Sequence, residues 1–133
     1  YSCPPLLKQW IDMVLEYNWA YGTQGNALKG KKIFQVITTG GAQKNYCDTG
    51  KDRYTIPELL EPFNQTAKVC KMEYLPPFVV HGTHQMDEKE ANQFGQTYSD
   101  LLKHLQANDI DLNEVNTHFY LNDWFHFKLK NHG

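Results

Sequence analysis

Cysteine is scarce. Cys3, Cys47 and Cys70 are the only three in 133 residues, odd in number and widely spaced, which fits neither a disulfide framework nor a CxxC metal site. The expectation is a reducing, cytoplasmic compartment. Charge of one sign is equally short: 13 basic residues stand against 15 acidic ones, a formal net charge of −2, so there is no electrostatic footprint for nucleic acid or for an anionic membrane. No apolar run approaches the roughly 20 residues needed to span a bilayer, because Lys, Asp or Pro interrupts the longest ones. GxSxG, Walker A, HExxH and paired CxxC do not occur, and hydrolase, nucleotidase and zinc-site readings lose their carriers. The chain opens on Tyr1 rather than Met, with no charged-then-apolar signal segment, and reads as a cut chain. What is present is 41% apolar and 21% charged residues, enough to build the core of one domain and no more.

Along the chain, Leu6, Leu7, Trp10, Ile11, Val14 and Leu15 recur at three- and four-residue spacings between Pro4 and Tyr17, the pattern of an amphipathic helix with proline in its first turn. Tyr21 to Lys32 carries Gly22, Gly25 and Gly30 and predicts a loop. Lys31 to Ile37 is nearly uninterrupted apolar sequence, as in a strand buried on both faces. Thr55-Ile56-Pro57-Glu58 opens a second helix whose early turns Pro62 should disturb. Glu73 to His81 supplies a second strand with Pro76-Pro77 in its irregular half, and Asp87 to about Ala107 a third helix. Helix, strand, helix, strand, helix is the order of an α/β domain with a parallel sheet. Two strands are too few for such a sheet, so further strands are expected before Tyr1, and the exposed edge predicts self-association. The aromatic-rich segment 109–133 shows no clean period and is expected to pack on a partner surface or to be partly ordered, apart from a main body over 1–108.

The strongest chemical signal is the strand that runs into Thr38-Thr39-Gly40-Gly41 and then a polar loop. In open α/β sheets ligands bind beyond the carboxyl ends of strands, where glycine lets backbone N–H groups approach a planar or anionic ligand. An ordinary glycine-containing loop is the plainer reading. Tyr46 follows in that loop; a surface residue by default, it carries a hydroxyl able to bond a ligand ring. Trp19-Ala20-Tyr21 is a second aromatic cluster, with core packing favoured for Trp19 and less so for Tyr21 beside Gly22. His81 and His84 lack a further metal ligand at recognisable spacing and are better read as strand-end histidines. Cys70 reads as a small buried hydrophobe.

These pieces, Pro4-Pro5-Leu6-Leu7-Lys8, Trp19-Ala20-Tyr21-Gly22, Leu28 to Lys32, Thr38-Thr39-Gly40-Gly41 and Tyr74-Leu75-Pro76-Pro77-Phe78, together resemble the NAD(P)H:quinone oxidoreductases, flavodoxin-like flavoproteins. The likeness runs over residues 1 to about 105. Tyr1 to Pro5 and Leu75 to Gly82 resemble the bacterial branch that includes the ancillary proteins of glutathione-regulated potassium-efflux systems. The resemblance implies a three-layer flavodoxin-like sandwich of which 1–108 is the C-terminal part, a homodimer, a flavin (FMN on that branch, FAD the alternative), NAD(P)H as hydride donor and a quinone as acceptor. It implies a cytoplasmic protein, peripheral at the inner membrane face if it docks on a potassium-efflux antiporter. By the same resemblance Tyr1, Ser2, Thr38, Thr39, Gly40 and Gly41 contact the flavin, Tyr46 bonds it and steadies the charge of hydride transfer, and Tyr21 stands at the mouth of the substrate pocket. One departure is clear: the histidine that some members carry after the tyrosine is missing between Cys47 and Thr55, which puts a proton relay by that loop in doubt, with Lys51 or Arg53 as substitutes. The readings to be separated are a flavin-dependent quinone reductase, a regulatory subunit of an antiporter, and an inactive fragment that lacks the phosphate anchor of the flavin.

Overall fold

The computed structural model describes residues 2–107 and 109–131. In chain order the elements are α1 (Pro5–Val14), β1 (Lys32–Ile33), β2 (Val36–Thr38), a 3-10 turn (Gln43–Asn45), α2 (Ile56–Leu59), α3 (Glu61–Val69), β3 (Glu73–Tyr74), β4 (Phe78–Val80), α4 (Glu88–Ala107), α5 (Leu112–Val115) and α6 (Leu121–Asn131). Helices alternate with parallel strands, as expected of an α/β chain, but each of the two expected strands, 31–37 and 73–81, is divided into two short ones. The chain forms two compact units, one of 1–33 with 54–74 and one of 34–53 with 75–133.

In the first unit β1 and β3 pair in parallel, and Lys32 opposite Glu73 adds an ion pair of 3.0 Å across the register. The second helix region is broken where Pro62 predicts it. Thr55 caps α2 through a reciprocal box with Glu58, the chain turns at Leu60, and Pro62 sits in the first turn of α3, where its missing N–H removes no helical bond. Ala67, Cys70, Ile56 and Leu60 form the buried side, and Cys70, 1% exposed, is the small hydrophobe expected. Trp19 departs from expectation: it is 46% exposed, and its neighbour Ala20 takes the fully buried place. The loop after α1 is held by Lys71, whose ammonium donates to the carbonyls of Gly22 (3.2 Å) and Gly25 (2.8 Å) and to Asn26 Oδ1 (2.8 Å). Gly25 is required there, since a β-carbon would stand 2.0 Å from the Tyr21 carbonyl oxygen.

In the second unit β2 and β4 pair in parallel, with Ile37 opposite Val79. The expectation of a strand buried on both faces is not met in β2: Val36 is 48% exposed, and β4 is its only strand neighbour among the described residues. β4 is buried throughout. Its core joins Leu75, Phe78 and Val80 to Leu101 of α4 and to Val115, Leu121, Trp124 and Phe125. The C-terminal segment is therefore not left for a partner, as its lack of period suggested; it is the second wall of this core. The expected boundary at 108 falls on Asn108, outside the described residues. The segment also closes the outer edge of β4. The Asn122 side chain accepts from Val79 N–H (2.8 Å) and donates to Val79 C=O (3.0 Å), and Leu121 N–H donates to Pro77 C=O (2.9 Å). One amide thus stands in for a neighbouring strand, which removes that edge as a pairing template.

Candidate functional site

The carboxyl ends of β2 and β4 bring two short polar stretches together in the second unit, Thr38-Thr39-Gly40-Gly41 and His81-Gly82-Thr83-His84. Backbone bonds lace them: Thr39 N–H to Val80 C=O (2.9 Å), Thr83 N–H to Thr39 C=O (3.0 Å) and Gly82 N–H to Gly41 C=O (2.9 Å). The Thr83 hydroxyl adds a bond to the Thr39 carbonyl at 3.2 Å. The Thr39 hydroxyl donates to Gly41 C=O (2.9 Å) and lies 2.9 Å from His81 Nδ1. The N–H groups of Gly40 and Gly41 donate to no group among the described residues, so two adjacent donors are left for a ligand acceptor.

His81 is the hub of this cluster. Its ring centroid lies 5.5 Å from that of Tyr46 on one side and 5.5 Å from that of Tyr120 on the other. Its Nε2 is buried without a hydrogen-bond partner among the described residues. Burial pushes the imidazole below its ordinary pKa of 6.5, with the charge of Asp123 pulling the other way. Burial also pushes the Tyr120 hydroxyl up, and Asp123 adds to that shift. Tyr46 follows the 3-10 turn at Gln43–Asn45. A β-carbon on Gly41 would stand 3.5 Å from its hydroxyl and 2.8 Å from Asn45 Nδ2, and one on Gly40 would stand 2.2 Å from Nε2 of His84. At Gly40 the missing β-carbon leaves room for the His84 ring and at Gly41 for the Asn45 amide, while the Tyr46 hydroxyl lies at ordinary contact distance.

Of the residues singled out from the sequence, Thr39, Gly40, Gly41 and Tyr46 converge here. Thr38 is turned elsewhere: it lines an apolar groove of about 440 Å³ with Val36, Phe78, Phe94 and Tyr98. Ser2 and Tyr21 belong to the first unit, where both line a cavity of about 430 Å³ with Cys3, Phe63 and Cys70. Tyr1 lies outside the described residues. His81, set aside as a ligand, and Tyr120, in a segment without period, are the members that sequence reasoning missed. The strand-end position of His81 was a usable signal, and Tyr120 had none. Among the described residues no group of His, Cys, Asp and Glu could hold a metal ion, and no helix is long and apolar enough to cross a membrane.

The pair of free N–H groups and the tyrosine hydroxyl suit the polar edge of a flat heteroaromatic ring such as a flavin, which offers carbonyl acceptors. Comparisons with known proteins bear on the family. A family model described as the flavodoxin-like fold matches residues 1–105. General stress protein 14 of Bacillus subtilis is 48% identical over 84 residues, 63% of this chain and 48% of that protein. The ancillary protein KefG of a glutathione-regulated potassium-efflux system, from Erwinia tasmaniensis, is 36% identical over 103 residues, 77% of this chain and 56% of its own. An uncharacterized NAD(P)H oxidoreductase of Bacillus subtilis, YrkL, is 40% identical over 103 residues, 77% and 59%. The chain thus spans about half the length of the curated relatives it matches.

Among solved structures, general stress protein 14 of Treponema denticola in complex with FMN shares 42% identity at a TM-score of 0.63, over 74% of this chain and 58% of that one. An NADPH-quinone reductase of P. pentosaceus shares 32% identity at 0.70, over 84% and 62%. A protein described as a thermophilic tryptophan halogenase from Streptomycin violaceusniger shares 36% at 0.74, over 83% and 62%; across these descriptions the fold is shared while the stated activities differ. On the order of its elements, its paired parallel strands and the family match over residues 1–105, this chain belongs to the flavodoxin-like fold family.

Proposed function

We propose that this chain is part of a cytoplasmic NAD(P)H-dependent flavin oxidoreductase that passes hydride to quinones, with FMN rather than FAD as its flavin and a homodimer as its working form. The observation that carries the reading is the pair of free N–H groups at Gly40 and Gly41, set beside the Tyr46 hydroxyl in a fold whose relatives include a 42%-identical protein solved with FMN. The flavin supplies the redox chemistry when bound, taking hydride from a nicotinamide and giving it to the acceptor. The chain's own residues do the rest. Gly40 and Gly41 offer donors to a ring carbonyl, and Thr39 and the 81–84 turn keep those donors in place before any ligand arrives. Tyr46 holds a phenolic proton beside Gly41, able to donate toward charge that builds on the ring edge. Thr38 faces the groove of Val36 and Phe78 rather than these donors, and Ser2 and Tyr21 line a cavity of the first unit.

The test is FMN titration of the full protein followed by quinone-dependent NAD(P)H oxidation. Retained FMN, and a Tyr46→Phe variant that binds FMN but turns over at least about tenfold more slowly, support the reading. Protein that takes up no flavin and oxidises no NAD(P)H overturns it. A second role is favoured by the Kef relatives: docking on a membrane potassium-efflux antiporter, with the flavin as sensor. Antiport stimulation that survives Tyr46→Phe while turnover falls would show that docking and catalysis are separable.

A further inference from the structure

The family match ends at residue 105, yet Tyr120, beyond that end, closes one side of His81. The proton inventory of the cluster says what His81 does there. A threonine hydroxyl carries one proton, and the Gly41 carbonyl can only accept, so the 2.9 Å bond between them uses that proton. The second 2.9 Å contact of the same oxygen, to His81 Nδ1, then needs a donor on the ring. The neutral imidazole therefore carries its proton on Nδ1, and Nε2 is left as a bare lone pair, buried and without a partner among the described residues. Protonating it would create a buried N–H with no acceptor, so the ring is held in one tautomer.

We propose that His81 and Tyr120 are positioning residues of the Thr38–Gly41 loop. Tyr120, from a segment outside the family match, backs the imidazole; the imidazole donates to Thr39; and Thr39 ties down the Gly41 carbonyl. The loop is gripped at a second place by Gly82 N–H on that carbonyl and by Thr83 on the Thr39 carbonyl. The free donors of Gly40 and Gly41 are thereby fixed before a ligand arrives, which is where preorganisation gains affinity. The segment after residue 105 is on this account a working part of the site. The functional half of the proposal rests on the flavin reading above; the structural half does not.

Two measurements on the full protein separate these. The first is nitrogen-detected NMR of the His81 ring, which needs no ligand. The expected result is protonated Nδ1 and bare Nε2 in the wild type, and loss of that preference in Thr39→Val and in Tyr120→Leu. The second is the FMN dissociation constant. It should rise about tenfold in Tyr120→Leu, the scale of one well-placed hydrogen bond, and Tyr120→Phe, which keeps the ring, should restore most of the loss. A wild-type ring protonated on Nε2, or a Tyr120→Leu protein with wild-type tautomer and wild-type FMN affinity, overturns the proposal. If the wild type binds no FMN, the flavin reading fails and the tautomer measurement still decides the structural half. If Tyr120→Leu does not fold, the near-isosteric Thr39→Val decides in its place.

Discussion

Asn122 offers a sharp test of how the second unit is held together, because its amide makes one bond as acceptor and one as donor to the same buried residue, Val79. Asn122→Ala leaves the Val79 N–H and C=O both unpaired inside the protein. Each costs about 1–3 kcal/mol, so the loss should be about 2–6 kcal/mol. Asn122→Asp is the more telling change. Its carboxylate still accepts from Val79 N–H, but its other oxygen faces Val79 C=O where the amide now donates at 3.0 Å. At neutral pH this variant should be no better than the alanine one. Protonated, the acid copies the amide, with one oxygen accepting and one O–H donating. Burial and the facing carbonyl raise its native pKa above the unfolded aspartate value of about 3.9, so the folded form binds more protons than the unfolded one and stability falls as pH rises. The contribution is whole below about pH 3.9 and is lost as pH climbs through the raised native value. Urea denaturation of both variants across this range isolates the effect, because subtracting the alanine curve removes the titration of all other groups. A difference that does not change with pH, or a Val79 amide whose hydrogen exchange is untouched by Asn122→Ala, would refute the reasoning.

The other predictions concern single contacts. Lys71→Met removes three bonds of an ammonium to the loop after α1; a loss of about 1–3 kcal/mol is expected, with faster amide exchange from Gly22 to Asn26. Thr55→Ala breaks the capping box with Glu58 and should cost about 1 kcal/mol in denaturant midpoint experiments. His81 gives a pH signature. Its native pKa is below 6.5 through burial, so between that value and the unfolded one the unfolded chain binds more protons and stability rises with pH. The contribution is complete above about pH 6.5 and is lost as pH falls through the native value. The stability of wild type relative to His81→Gln should therefore shrink on acidification, and a gap constant with pH would count against it. At the alkaline end, burial with the Glu61 charge pushes Tyr74 up to about 12. Its contribution is present below pH 10 and lost above, which phenolate absorbance against pH would record.

Much of the fold was legible because its signals are local. The capping residue Thr55, the break at Pro62, the irregular Pro76-Pro77 stretch and the long period of α4 are each decided within a few residues, and each lies where the pattern puts it. Thr39, Gly40, Gly41 and Tyr46 were legible for the same reason: a strand running into paired glycines is a local motif with a physical use. Burial was harder to read. An apolar strand like 31–37 looks buried on both faces, but how deeply each side chain sits depends on neighbours supplied from elsewhere, and Val36 ends up half-exposed.

The C-terminal segment shows why the rest was hidden. Its buried residues, Val115, Tyr120, Leu121, Asn122, Trp124 and Phe125, follow neither the helical nor the strand period, because they serve several masters at once. Leu121, Trp124 and Phe125 fill the core under β4, Asn122 replaces a strand at its edge, and Tyr120 backs His81. Trp124 is further pinned by its indole N–H to Glu114, whose carboxylate also takes Lys128 at 2.6 Å and is held below its usual range by that lysine and the indole. A periodic stripe records burial against one smooth surface. A segment that must cap an edge, plug a core and buttress an imidazole within six residues has no single surface to record, and an asparagine in its middle looks like evidence for a loop. Buried polar residues of that kind have meaning only with their partners in view, and here the partner is the backbone of Val79, 43 residues away.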